Sequence, residues 1–227
     1  TLSSSSAASD VYKRQSLNSE AAAWSDAAEK IDLKAPPNAV GRSRPFLNLG
    51  AYYLGRGMID QAEWNISKAL ALGDRGRLGA SARFNWGVVL QVKKKHAEAL
   101  QAFAEAEAQG YSDSPLYYHK GESQAAMGQL LPALESLGIA VDKAEKDPQQ
   151  QRVVPTFRIR WVETAMAAQR YDEAINGFNV LLRTSPNAPR LRLGLGMARV
   201  GKGDTKAAID VFDQLLETNP GAVSYTH

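Results

Sequence analysis

The chain has 227 residues and no cysteine. Disulfide bonds and thiolate metal sites are therefore excluded. Histidine is almost as scarce: apart from His227 at the terminus there are only His96 and His119. Two isolated imidazoles supply too few ligands for a zinc site, so neither a metal nor a cofactor is expected. No apolar run approaches the roughly 20 residues that cross a bilayer, and no membrane span is expected in this stretch. A large charge of one sign is missing too. The net charge is +3, without the clustered basic face that nucleic-acid binding needs.

Catalytic patterns are equally thin. Serine, histidine and aspartate occur without the spacing or local motif of a triad. Gly55-Arg56-Gly57 and Gly194-Leu195-Gly196 follow no strand pattern, so they are not phosphate loops. The Lys93-Lys94-Lys95-His96 run lacks interleaved aromatics and reads as a solvated turn between helices. Arg183, Arg190, Arg192 and Arg199 read as charges on an exposed surface. No catalytic residue is expected, and the chain is not expected to be an enzyme. Either cytoplasm or periplasm is compatible with this composition, and the oligomeric state is not fixed by it.

The two ends carry one DNA element read on opposite strands. Residues 10–15 read DVYKRQ and residues 223–227 read VSYTH. The codons GAT GTG TAT AAG AGA CAG encode the first, and their reverse complement contains GTC TCT TAT ACA CAT, which encodes the second. Residues 1–15 and 223–227 thus resemble translated sequencing-adapter sequence and are set aside from fold reasoning. Without Lys13, Arg14 and Asp10 the net charge becomes +2. The remainder is expected to be an internal fragment of a longer protein.

What is present is a repeat. Small residues recur at Gly50, Gly87, Gly121, Val162 and Gly196, and alanines at Ala62, Ala99, Ala133, Ala174 and Ala208. Both series step by 37, 34, 41 and 34 residues, so two helices repeat as one rigid unit. The small residues let a first helix, A, approach a second, B. Stacking such units builds the core that no unit has alone. Phe103, Phe178 and Phe212 are expected between units. The loops 74–79 and 146–152 are expected to absorb the additional three and seven residues, and Asp60 to cap a helix. Residues 16–42 read as a partial repeat helix, with Trp24, Ala27 and Ala28 on one face, followed by a loop through Pro36, Pro37, Asn38 and Gly41. Residues 43–222 divide into units at about 43–79, 80–113, 114–154, 155–188 and 189–222.

Phe46, Leu49, Gly50, Tyr53, Ala62 and Ala69 in the first unit, and Trp86, Gly87, Ala99, Phe103 and Ala106 in the second, resemble the tetratricopeptide repeat family. Pro186 and Pro220 stand where that pattern ends a unit. Lys120 and Val162 depart from it, placing a charge and a larger side chain where leucine and a small residue are usual. The resemblance implies an all-α fold, a right-handed α-solenoid of about five helix-turn-helix units plus a partial N-terminal helix.

It also implies a bacterial, non-catalytic scaffold that binds a peptide or amphipathic helix in a concave groove. Carried onto this sequence, that groove takes Leu47, with Leu54 beside it, then Phe84, Val88, Gln91, Tyr118, Glu122, Ile159, Glu163, Met166, Arg190, Leu193 and Met197. A clamp for a C-terminal carboxylate is not expected, because only Asn85 fits it and Leu47, Ala51, Pro115 and His119 take the other places. A second resemblance gives an alternative. Trp24-Ser25-Asp26, then Lys34, Pro36, Arg44 and Asn48-Leu49-Gly50, is similar to a junction in bacterial multi-pass membrane proteins resembling glycosyltransferases or oligosaccharide ligases. It implies a C-terminal appendage attached to a membrane enzyme whose catalytic part lies upstream.

Overall fold

Residues 18–30 and 42–218 are described by a computed structural model. The adapter-like ends, the loop through Pro36 and Gly41, Lys34 and Pro220 lie outside them. Among the described residues there is no strand. Eleven α-helices and one short 3-10 turn account for nearly all of them. The chain forms two compact units, one ending at Ser112 and one beginning at Asp113.

The first unit holds α1 (residues 18–29), α2 (Arg44–Gly55), α3 (Ile59–Ala71), α4 (Gly76–Val92) and α5 (His96–Ala108). From α2 onward each helix packs on the next, and α2 also touches α4. The second unit holds α6 (Ser114–Ala126), α7 (Leu130–Lys146), α8 (Val154–Ala167), α9 (Tyr171–Thr184), α10 (Pro189–Lys202) and α11 (Thr205–Thr218), again packed in sequence. Within each unit this is the α-solenoid arrangement of helical hairpins.

All five hairpins turn in the same way. The left-handed position is taken by Gly57, Lys94, Gly128, Gln169 and Gly203. The residue after each donates its N–H five residues back, as in Met58 to Tyr53 at 2.9 Å and Arg170 to Ala165 at 2.8 Å. This closes the orphan carbonyls at the helix end in a Schellman-type turn. Lys94 and Gln169 hold a backbone conformation that glycine adopts without steric cost.

The small residues lie at helix crossings. A Cβ on Gly87 would come within 2.6 Å of the Phe103 ring, on Gly121 within 2.6 Å of Leu137, and on Gly196 within 2.6 Å of Phe212. Gly50 meets Ile66 in the same way. The five alanines of the repeat are all buried. The fourth hairpin reverses the scheme: Val162 is fully buried on α8, and the glycine moves to α9, where Gly177 makes room for Val162 and Trp161.

Several expectations need correction. Phe103 and Phe212 fill the space inside their own hairpins, against Gly87 and Gly196. Phe178 lies against Gly194 of α10 in the next hairpin, because Val162 already occupies the slot on α8. The added residues are not loops alone: α4 begins at Gly76, α7 runs on to Lys146, and both are 17 residues long. Asp147 then caps a 3-10 turn, Pro148–Gln150, by accepting from the Gln149 N–H at 2.9 Å. Asp60 is not a cap; Met58 holds that position, and Asp60 lies in the first turn of α3, where a carboxylate still favours the helix dipole. His96 is the first residue of α5, not part of the preceding turn. Lys120 is half-buried, with its ammonium 6.0 Å from the centre of the Tyr117 ring. A long amphipathic stem lets lysine stand in a leucine position while its head stays wet.

Candidate functional site

The expected groove residues divide by burial. In the first unit, Leu47 lies in the core with Phe46, Ala69, Leu72 and Ala82. Phe84 is also buried and stacks on Tyr111, ring centres 4.7 Å apart and 13° from parallel. Both serve packing rather than an open surface, because α4 turns the Phe84 ring toward α5 and its following turn. Val88, Gln91 and Leu54 are half-buried.

In the second unit the A helices α6, α8 and α10 carry the remaining candidates. On α10, Pro189 at the helix start leaves no backbone donor to satisfy there. Leu195, Gly196 and Ala198 turn inward. Arg190, Leu193 and Met197 then share the opposite side at helical spacing. Leu193 is 46% exposed, Met197 54% and Val200, one turn on, 56%. On α8, Ile159 is exposed, Glu163 is exposed, and Met166 is half-buried against the core around Val162 and Phe178.

The polar members of α6 and α8 are brought together by a residue the sequence reading omitted. Arg160 reaches Glu122 at 3.2 Å and Glu163 at 3.3 Å. Tyr118 stacks on Phe157 with ring centres 4.4 Å apart and donates its hydroxyl hydrogen to Glu122. Burial, followed by the Glu122 charge and this bond, pushes the Tyr118 phenol up to about 12. Beside Arg160 and Glu163 lies a shallow cleft of about 220 Å³ with Ala125, Ala126 and Ala167 in its lining. The neighbouring His119 is half-buried edge-on to Tyr118, ring centres 5.4 Å apart. Desolvation pulls its imidazole down to about 4, so it is neutral at ordinary pH.

The Arg160–Glu163 spacing of three residues is the one sequence signal that could have pointed to this network. Val200, in the exposed apolar row of α10, was legible by the same periodicity and was also missed. Arg192 is held by α11, through the Gln214 carbonyl and the Thr218 hydroxyl at 3.4 and 3.2 Å. Among the described residues no group of three histidine or carboxylate side chains is placed to hold a metal, and no helix is long and apolar enough to cross a membrane.

Residues 165–225 match the family model for the tetratricopeptide repeat. No curated protein sequence matches the chain. Among solved structures, YrrB, described as a TPR protein with an unusual peptide-binding site, superposes with a TM-score of 0.71 at 22% identity, covering 89% of this chain and 95% of that one. MamA from Desulfovibrio magneticus RS-1 gives 0.62 at 17% identity, covering 79% and 96%. The pilF protein of Pseudomonas aeruginosa gives 0.58 at 18%, covering 78% and 76%. At these identities the likeness is one of fold.

Proposed function

From the premise that the chain is a tetratricopeptide-repeat protein, we propose that it is a non-catalytic interaction scaffold. Its second unit takes a peptide or amphipathic helix along α6, α8 and α10. The observation that carries this reading is the row Leu193, Met197 and Val200 on α10. These are three large apolar side chains left in solvent at one helical spacing, where a surface helix ordinarily turns polar residues outward. Such a row suits the few buried anchors by which peptides dock in grooves. The Glu122–Arg160–Glu163 network on α6 and α8 would set the orientation of a charged partner, since paired charges add more specificity than affinity. Ile159 adds an apolar contact on α8. YrrB, the structural neighbour with a peptide-binding site, makes a peptide the reasonable class of partner.

A peptide-display selection against the whole chain tests this. Selected peptides should lose about tenfold or more in affinity when Leu193 and Met197 are both changed to alanine, the loss of anchor contacts. The variant should keep its helicity and its stability to within about 0.5 kcal/mol, as surface changes do. Peptides that bind the double variant as tightly as the parent would refute the assignment.

A further inference from the structure

A cavity of about 710 Å³ opens in the first unit between α1, α2 and α3. This is within the usual volume of small-ligand sites. Three aromatic rings, Phe46, Tyr53 and Trp64, line it together with two carboxylates, Glu29 and Asp60, and among the described residues no basic side chain does. Trp64 is 56% exposed, held edge-on to Phe46 with ring centres 6.2 Å apart. The Trp64 ring already attracts one cation: the Lys68 ammonium stands 5.5 Å from its centre. Asn65 is only 5% exposed, and its side-chain N–H donates to the Gln61 carbonyl at 2.8 Å. Its Oδ1 is buried with no donor among the described residues, a costly state for a carboxamide acceptor. Helix α1 is tied to this wall by Asn18, which accepts from the Tyr52 hydroxyl at 2.7 Å and from Arg56 at 3.0 Å.

We propose that this cavity binds an organic cation, an ammonium or guanidinium group carried on an apolar body. The rings present negative π-faces to such a charge, Glu29 and Asp60 neutralise it, and the Gln61 side chain can accept from any N–H the cation carries. An anion would face the two carboxylates of the lining. A neutral guest would gain only apolar contact. The site lies in the first unit and does not depend on the peptide surface of α6, α8 and α10.

The test follows the indole N–H signal of Trp64 in the ¹⁵N-labelled whole chain, assigned by its loss in Trp64→Phe. The probes are benzyltrimethylammonium, benzyl alcohol as a neutral counterpart, and a blocked hexapeptide alternating leucine and arginine. Saturable shifts of this signal by a cationic probe are expected, weakened about tenfold by Asp60→Asn, the effect of removing one partner charge. Glu29→Gln, at an exposed position on α1, reads the charge without touching the core. Response to benzyltrimethylammonium alone assigns a free small cation, and response to the hexapeptide alone assigns a basic side chain of a protein partner. Equal saturation by benzyl alcohol, no Trp64 response to either cation, or unchanged affinity in both carboxamide variants would overturn the proposal.

Discussion

Gly87 and Phe103 share one volume: a Cβ on the glycine of α4 would lie within 2.6 Å of the ring on α5. Phe103 is fully buried, so the ring cannot swing aside into solvent. Gly87→Ala therefore forces overpacking of about 1–3 kcal/mol, against roughly 1 kcal/mol recovered from helix propensity, and a net fall in melting temperature is expected. Gly55 is the control. A Cβ there meets nothing within 4 Å, and Gly55→Ala should stabilise by about 0.4–1 kcal/mol through the unfolded chain. Thermal unfolding of the pair checks both signs.

The turns give an opposite test. Lys94 and Gln169 occupy left-handed backbone at φ 61° and 58°, which costs an ordinary side chain about 1–2 kcal/mol. Each change to glycine should raise the urea midpoint. Glycine's extra backbone entropy offsets part of that gain; the other three hairpins use glycine at this place. A lowered midpoint for both would mean that the side chains make compensating contacts.

His119 and Tyr118 each make the stability of the second unit depend on pH. The folded imidazole titrates near 4 against an ordinary 6.5, so its contribution is fully present above 6.5 and is lost as pH falls through 4. The Tyr118 phenol, raised from 10 to about 12, contributes fully below 10 and is lost as pH rises through 12. His119→Gln should lose less stability than the parent between about pH 7 and about pH 5, read as urea midpoints. Tyr118→Phe should flatten the alkaline limb.

The helical hairpins were legible because glycine and alanine at crossings leave a fixed step in the sequence, and the structure places Gly50, Gly87, Gly121 and Gly196 at those crossings. Burial was less legible than periodicity. Leu47 and Phe84 sit at groove spacing yet pack inward, since one residue of helical phase separates the two faces. Phe178 reads like Phe103 in the repeat but points to the next hairpin, a consequence of Val162 that no local pattern reveals. The tertiary reach of Arg160 to Glu122 joins helices 38 residues apart in sequence, and only the folded stack makes it visible.

The exchange of small and large residues in the fourth hairpin tests most directly the claim that the helices are spaced by matched pairs. Gly177→Ala would push a Cβ against Val162 and to 2.9 Å from the Trp161 ring, and Val162→Gly would leave a cavity; each should destabilise by about 1–4 kcal/mol. Equilibrium unfolding of the two single variants and the double variant gives their coupling. Val162→Gly should relieve part of the Gly177→Ala penalty, with a coupling of about 1 kcal/mol or more. Strict additivity of the two losses would contradict it.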